Sequence, residues 1–256
     1  MLTSFRGLVA VSLATASLLS AAPVLAQDEA EAETEEASEG PITLSANVAL
    51  TTDYRFRGVS LSSGDPAIQG GFDAVHESGF YVGAWASSIS GGDAFGDMEL
   101  DLYGGWSGDI TDGLSVDLGA VYYVYPTEDI GADVDYYELL ASLGFSLGPV
   151  ETTVGLGYSP EQSSLGDDDN LYVYTDLGFG LPGTPVTLTG HIGYTDGALA
   201  PPLLAGAADD SGIDWSVGAS VSHDAFEIGV AYVGVEGPSI DEFTDDALVA
   251  TISASF

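Results

Sequence analysis

Cysteine and lysine are both absent from this 256-residue chain, and arginine occurs only at Arg6, Arg55 and Arg57. Without a thiol there is no disulfide framework and no thiolate metal or redox site. Without a basic face, nucleic acid is excluded as a partner, because phosphate contacts need clustered Lys and Arg. Asp and Glu number 40, and the formal charge at pH 7 is −37. That surplus suits solubility, a salty habitat, divalent-cation binding or attraction of cations, and composition alone does not choose among them. No apolar run is long enough for a transmembrane helix. One shorter run, Gly7–Leu19, lies between Arg6 and the small-residue site Val24-Leu25-Ala26. Those are the three parts of a cleaved secretory signal peptide, expected over residues 1–26. Catalytic spacings are missing too. There is no HExxH and no nucleophile elbow, and His76, His191 and His223 fall on different expected strands. No catalytic residue, metal site or cofactor is therefore expected. Asp167-Asp168-Asp169-Asn170 lacks the spaced calcium-loop pattern with its closing Glu and reads as a solvated acidic loop.

Glycine and tyrosine are plentiful, 34 and 13 residues, beside few long helix formers, which points to tightly packed β structure. Residues 27–41 begin as an acidic run, with seven acids in the fourteen residues Gln27–Gly40, and read as a solvated spacer in the periplasm. From Ile42 to Phe256 the chain alternates between strand patterns and turns. The last stretch, ALVATISASF, places Leu248, Ala250, Ile252, Ala254 and Phe256 on one face and Val249, Thr251, Ser253 and Ser255 on the other. A greasy terminal strand has a use where it must pair with the first one and abolish the sheet's edges. A closing strand that ends in Phe resembles the signal read by outer-membrane assembly machinery, which marks Phe256 as an assembly signal.

The first strand is expected from Ile42 to about Arg57, with Ile42, Leu44, Ala46, Val48, Leu50, Tyr54 and Phe56 outward. Eleven more follow: Ala67–Glu77, Phe80–Ser90, Met98–Ile110, Leu114–Tyr125, Val134–Leu147, Val150–Ser159, Leu171–Leu181, Val186–Asp196, Ile213–His223, Phe226–Glu236 and Ala247–Phe256. Tight turns such as Glu77-Ser78-Gly79, Thr111-Asp112-Gly113 and Gly148-Pro149 alternate strictly with longer segments such as Val59–Pro66, Pro160–Asn170 and Gly197–Gly212. Greek-key sandwiches have no reason to produce that order. It predicts an all-β fold, a transmembrane antiparallel up-and-down β-barrel of about 12 strands with short periplasmic turns and longer outer loops. Two aromatic girdles are expected. Phe80, Tyr81, Phe145, Phe179, Phe226 and Phe256 lie beside the short turns, and Tyr54, Phe56, Tyr122, Tyr158, Tyr194 and Tyr232 lie towards the long loops.

The polar faces place Asp53, Asp73, Glu99, Asp101, Asp117, Glu138, Glu151, Asp176, Asp214 and Glu227 towards the lumen. Such carboxylates favour cations, so the expected function is passive diffusion of small hydrophilic solutes with a cation preference. Arg55 and Arg57 point inwards near the outer mouth. They either form a constriction for a carboxylate or phosphate, or pair locally with Asp53, Glu99 or Asp101; the pairing is favoured. The alternative is a non-conducting barrel, structural, adhesive or, last, lipid-modifying. Twelve strands lie between the filled and the open barrel sizes, and Tyr103, Tyr123, Tyr136, Tyr172 and Tyr174 would form the plug. Expected partners are outer-membrane lipid and lipopolysaccharide, the barrel-assembly machinery, and small hydrophilic solutes or cations.

Within Ser45–Ser87 three motifs stand out: Asp53-Tyr54-Arg55-Phe56-Arg57-Gly58, Gly64-Asp65-Pro66-Ala67 and His76-Glu77-Ser78-Gly79-Phe80. They resemble the start of the TorF-type porins of proteobacterial outer membranes, as do the overall length and the terminal Phe256. Beyond about the first three strands only the pattern is shared. The resemblance implies a porin and carries over no functional residues.

Overall fold

The computed structural model describes residues 40–256 except Asp129. The expected signal peptide and residues 27–39 of the acidic spacer lie outside the described residues. Twelve strands form one closed barrel: β1 (Ile42–Thr51), β4 (Ala67–His76), β5 (Phe80–Ser88), β6 (Met98–Thr111), β7 (Leu114–Val124), β8 (Tyr136–Leu147), β9 (Val150–Gln162), β10 (Asp168–Gly180), β11 (Val186–Gly197), β12 (Ser211–His223), β13 (Phe226–Val235) and β14 (Ala247–Ser255). Two short strands, β2 (Arg55–Phe56) and β3 (Val59–Ser60), pair only with each other. Sequence neighbours are spatial neighbours around the wall, all antiparallel, and β14 closes on β1.

The seam shows why the terminal strand is greasy. Val48 pairs with Ala254 and Leu50 with Ile252, and Ala46 and Phe256 exchange backbone hydrogen bonds of 3.1 and 2.9 Å. Each wall strand thus has two partners, which leaves no open edge. The alternation gives the wall two chemistries. Leu44, Ile68, Phe72, Phe80, Val82, Val217, Ile228 and Leu248 are exposed on the outside. Facing residues such as Glu99, Tyr123, Glu138, Tyr172 and Asp214 are buried inside. In water such an exterior would be an aggregation surface; against hydrocarbon it is the satisfied one. The outer aromatic rim contains Tyr122, Tyr158, Tyr194 and Tyr232 as expected, with Tyr137 beside them.

The first strand is shorter than its alternation predicts. It ends at Thr51, not Arg57. The next stretch, expected as the top of that strand and an outer loop, folds back inside the barrel as the β2–β3 hairpin. Period two persists through the hairpin, so periodicity cannot separate wall from insert. The turn Arg57-Gly58 has positive φ at both residues, 48° and 79°, the geometry of a two-residue hairpin whose twist matches its strands. Tyr54 and Phe56 therefore leave the expected girdle; Tyr54 is buried inside against Trp85. Tyr81 also faces inwards, where its hydroxyl donates to Asp117 at 3.0 Å. On β5, both of whose faces are apolar, Phe80 and Val82 are exposed outside while Tyr81 and Trp85 are buried within. The Pro160–Asn170 segment is mostly strand, because β9 runs on to Gln162 and β10 resumes at Asp168 around one 3-10 turn, Ser163–Leu165.

Candidate functional site

The interior divides at the hairpin. In the long-loop half the hairpin reaches strand after strand. Tyr54 Oη donates to Glu99 Oε1 on β6 at 2.5 Å, and the Phe56 ring meets Tyr123 on β7 at 5.8 Å. Arg57 Nη2 donates to both carboxylate oxygens of Glu138 on β8, at 2.6 and 2.7 Å. The same guanidinium stacks over Tyr172 on β10, 4.0 Å from the ring centroid, and lies 4.7 Å from Phe56. Gly58 approaches Asp214 on β12 and Val235 on β13 so closely that a side chain there would collide. The base is held by backbone bonds. Ser60 N–H donates to the Phe243 carbonyl and Ser90 N–H to that of Leu61, each at 2.8 Å. Arg55 pairs with Asp53 at 2.5 Å and donates to the Asp245 carbonyl at 2.5 Å.

Burial here is nearly complete: relative exposure is 0 % at Glu138, 2 % at Arg57 and 1 % at Glu99 and Asp214. Tyr54, Trp85, Ile89, Val121, Tyr123, Tyr125, Tyr136 and Leu140 form an apolar core inside the barrel, where a water-filled lumen was expected. A buried carboxylate needs a partner. Glu138 has Arg57, and Glu99 accepts from the phenols of Tyr54 and Tyr125 at 2.5 and 2.9 Å.

The short-turn half is looser and more polar. Tyr103 donates to Asp73 at 2.5 Å, Tyr81 to Asp117 at 3.0 Å and Ser222 to Glu227 at 2.8 Å. Glu151 is exposed, and the Asp176 side chain keeps 43 % of its exposure. Inward tyrosines lie flat across inward glycines on neighbouring strands: Tyr103 over Gly83, Tyr81 over Gly105 and Tyr174 over Gly155 leave no room for a Cβ. At these positions a ring on one strand covers a bare backbone on the next.

Of the expected lumen residues, Asp73, Glu99, Asp101, Asp117, Glu138, Glu151, Asp176, Asp214 and Glu227 lie on the inward faces of wall strands. Asp53, Arg55 and Arg57 do not line the wall; they belong to the inserted segment. Local pairing of the arginines is correct for Arg55 with Asp53 and incorrect for Arg57, whose acid is Glu138 and not Glu99 or Asp101. Three participants were missed. Tyr172, named only as a plug residue, is the platform under Arg57. Asp245, in the connection before β14, caps Arg55. His191, dismissed because the histidines lie apart, bridges Asp176 through Nδ1 at 2.6 Å and Asp214 through Nε2 at 2.9 Å. Asp214, expected only as a lumen acid, meets His191 through the pairing of the neighbouring strands β11 and β12, where His191 lies opposite Ser216 and Asp214 opposite Gly193. Among the described residues no group of three or more His, Asp or Glu is arranged to hold a metal.

A closed twelve-stranded antiparallel barrel with an apolar exterior and a polar, partly filled interior defines the class: this is a porin-like barrel. The family model for Gcw_chp, bacterial proteins of unknown function, matches residues 35–256, so the chain belongs to that family. Its fold is similar to that of NanC porin, with a TM-score of 0.55, 9 % identity, and 84 % of this chain and 99 % of that one covered. It is similar also to KdgM porin, with a TM-score of 0.54, 10 % identity, and 83 % and 99 % covered. No curated protein matches by sequence.

Proposed function

We propose that this protein is an outer-membrane porin of Gram-negative bacteria, akin to the TorF type, which passes small hydrophilic solutes by diffusion and prefers cations. The observation that carries this reading is the two-faced wall: apolar outside, and inside it Asp73, Glu99, Asp101, Asp117, Glu138, Glu151, Asp176, Asp214 and Glu227 against few positive groups. A narrow, low-dielectric tube focuses such a field and concentrates cations within it. Lipid and lipopolysaccharide cover the exterior, and the assembly machinery reads the strand ending at Phe256. Neither role calls for enzymatic chemistry. Planar-bilayer recording under a salt gradient tests the proposal. A reversal potential on the cation side, shrinking as salt rises, is expected; an anion preference overturns it. Purified protein should also migrate faster on gels unboiled than boiled.

One observation favours a second reading, a non-conducting barrel: the hairpin and the aromatic core fill the long-loop half. Silence across the full voltage range would select it.

A further inference from the structure

The hairpin is held unevenly. Its base is tied by backbone hydrogen bonds, from Leu61 N–H to the Tyr54 carbonyl, Ser60 N–H to Phe243 and Ser90 N–H to Leu61, each at 2.8 Å. Among the described residues its tip has no backbone bond to the wall. There Arg57 reaches Glu138 through Nη2 alone, while its Nε and Nη1 are buried with no hydrogen-bond partner among the described residues. Asp214 Oδ2, beside the tip, is likewise without one. Each such group bears a desolvation penalty that water would remove. Arg57 further holds a left-handed backbone conformation, φ 48°, which a side-chain-bearing residue adopts at a cost unless its surroundings compel it. Gly157 on β9 is bare where a Cβ would lie 2.7 Å from Glu138 Oε1 and 3.2 Å from Arg57 Nη2, so the wall is cut back around this one ion pair. At the other end of the segment Ser63 and Gly64 also have positive φ, 55° and 71°, a short irregular joint of the kind that absorbs hinge rotation.

We propose that residues 53–62 are a gate latched by the Arg57–Glu138 pair: the tip swings out of the lumen towards the long-loop end, and solutes pass in that state. The inference rests on the pore reading, yet the motion can be measured without conduction. The chain has no cysteine, so Val59→Cys, buried near the tip, supplies its sole thiol. A maleimide carrying a polyethylene glycol chain too bulky for the lumen can reach that thiol only when the tip emerges. In refolded, lipid-embedded protein the labelling rate should rise roughly 100-fold when Glu138→Gln removes the latch. Arg57→Lys, which keeps the charge but loses the planar group stacked on Tyr172, should give a smaller rise. Gel mobility without boiling reports that each barrel remains closed. Equal rates in closed barrels with and without Glu138 would overturn the gate and leave a fixed plug. As a second arm, planar-bilayer recording should show more frequent openings for Glu138→Gln than for the unmodified protein; equal opening in both, where both conduct, refutes the gate and spares the pore. A latch-dependent labelling rate in a protein that never conducts supports the motion and refutes the pore.

Discussion

The two halves of the interior use the same residue types to different ends. In the long-loop half, tyrosines and acids sit in a packed core, where Arg57 partners Glu138 and two phenols donate to Glu99. In the short-turn half the tyrosine–acid pairs recur at Asp73 and Asp117, but the acids remain half-exposed and Glu151 is open. Burial, more than composition, thus decides whether a carboxylate acts as a structural anchor or as a source of field. Water screens the second kind and not the first.

Single substitutions can break or sharpen this contrast. The largest effect is expected from Glu138→Ala, which strands Arg57 and should cost about 3–5 kcal/mol in urea unfolding from lipid. Glu151→Ala in the open half should change stability by less than about 0.5 kcal/mol; equal losses would erase the distinction. Next comes Tyr54→Phe, which takes one of two donors from buried Glu99 and should cost about 1.5–3 kcal/mol. Tyr103→Phe, beside half-exposed Asp73, should cost less than half of that in the same titration. Gly157→Ala crowds Glu138 and Arg57 and should cost about 1–3 kcal/mol. Gly190→Ala on β11, with nothing within 4 Å of its new methyl group, should be neutral or slightly stabilising by the same measure. The smallest effect is electrical. Glu151→Gln should lower the cation preference by a few millivolts of reversal potential at about 0.1 M salt and by nothing detectable at about 1 M, where the screening length falls to roughly 3 Å.

Much of the wall was legible in the chain. Strict alternation on β6, β8 and β12 assigns Leu102, Leu139 and Val217 outward and Asp101, Glu138 and Asp214 inward, because a pleated strand offers only two faces. The rhythm of short and long connections fixed the strand number, since antiparallel neighbours joined by tight turns must come in that order. The hairpin was not legible. Its residues alternate as a wall strand does, and only the two-residue turn at Arg57-Gly58 hints at reversal, with an arginine where such turns usually carry Asn or Asp. The phenol pairs and the His191 bridge were equally hidden, for each depends on the register of neighbouring strands: Asp176 pairs directly with His191, Asp214 lies on the next strand, and Tyr103 reaches Asp73 across Gly83.

From the sequence alone, then, come the barrel, its twelve strands, its two-faced wall and the closing role of Phe256, all consequences of local periodicity and turn chemistry. Tertiary structure alone decided that β1 stops at Thr51, that Arg57 answers Glu138 and that half of the lumen is a packed core. Those outcomes depend on which side chains a closed cylinder brings face to face and on how much water it excludes between them, and neither quantity is written in the spacing of residues along one strand.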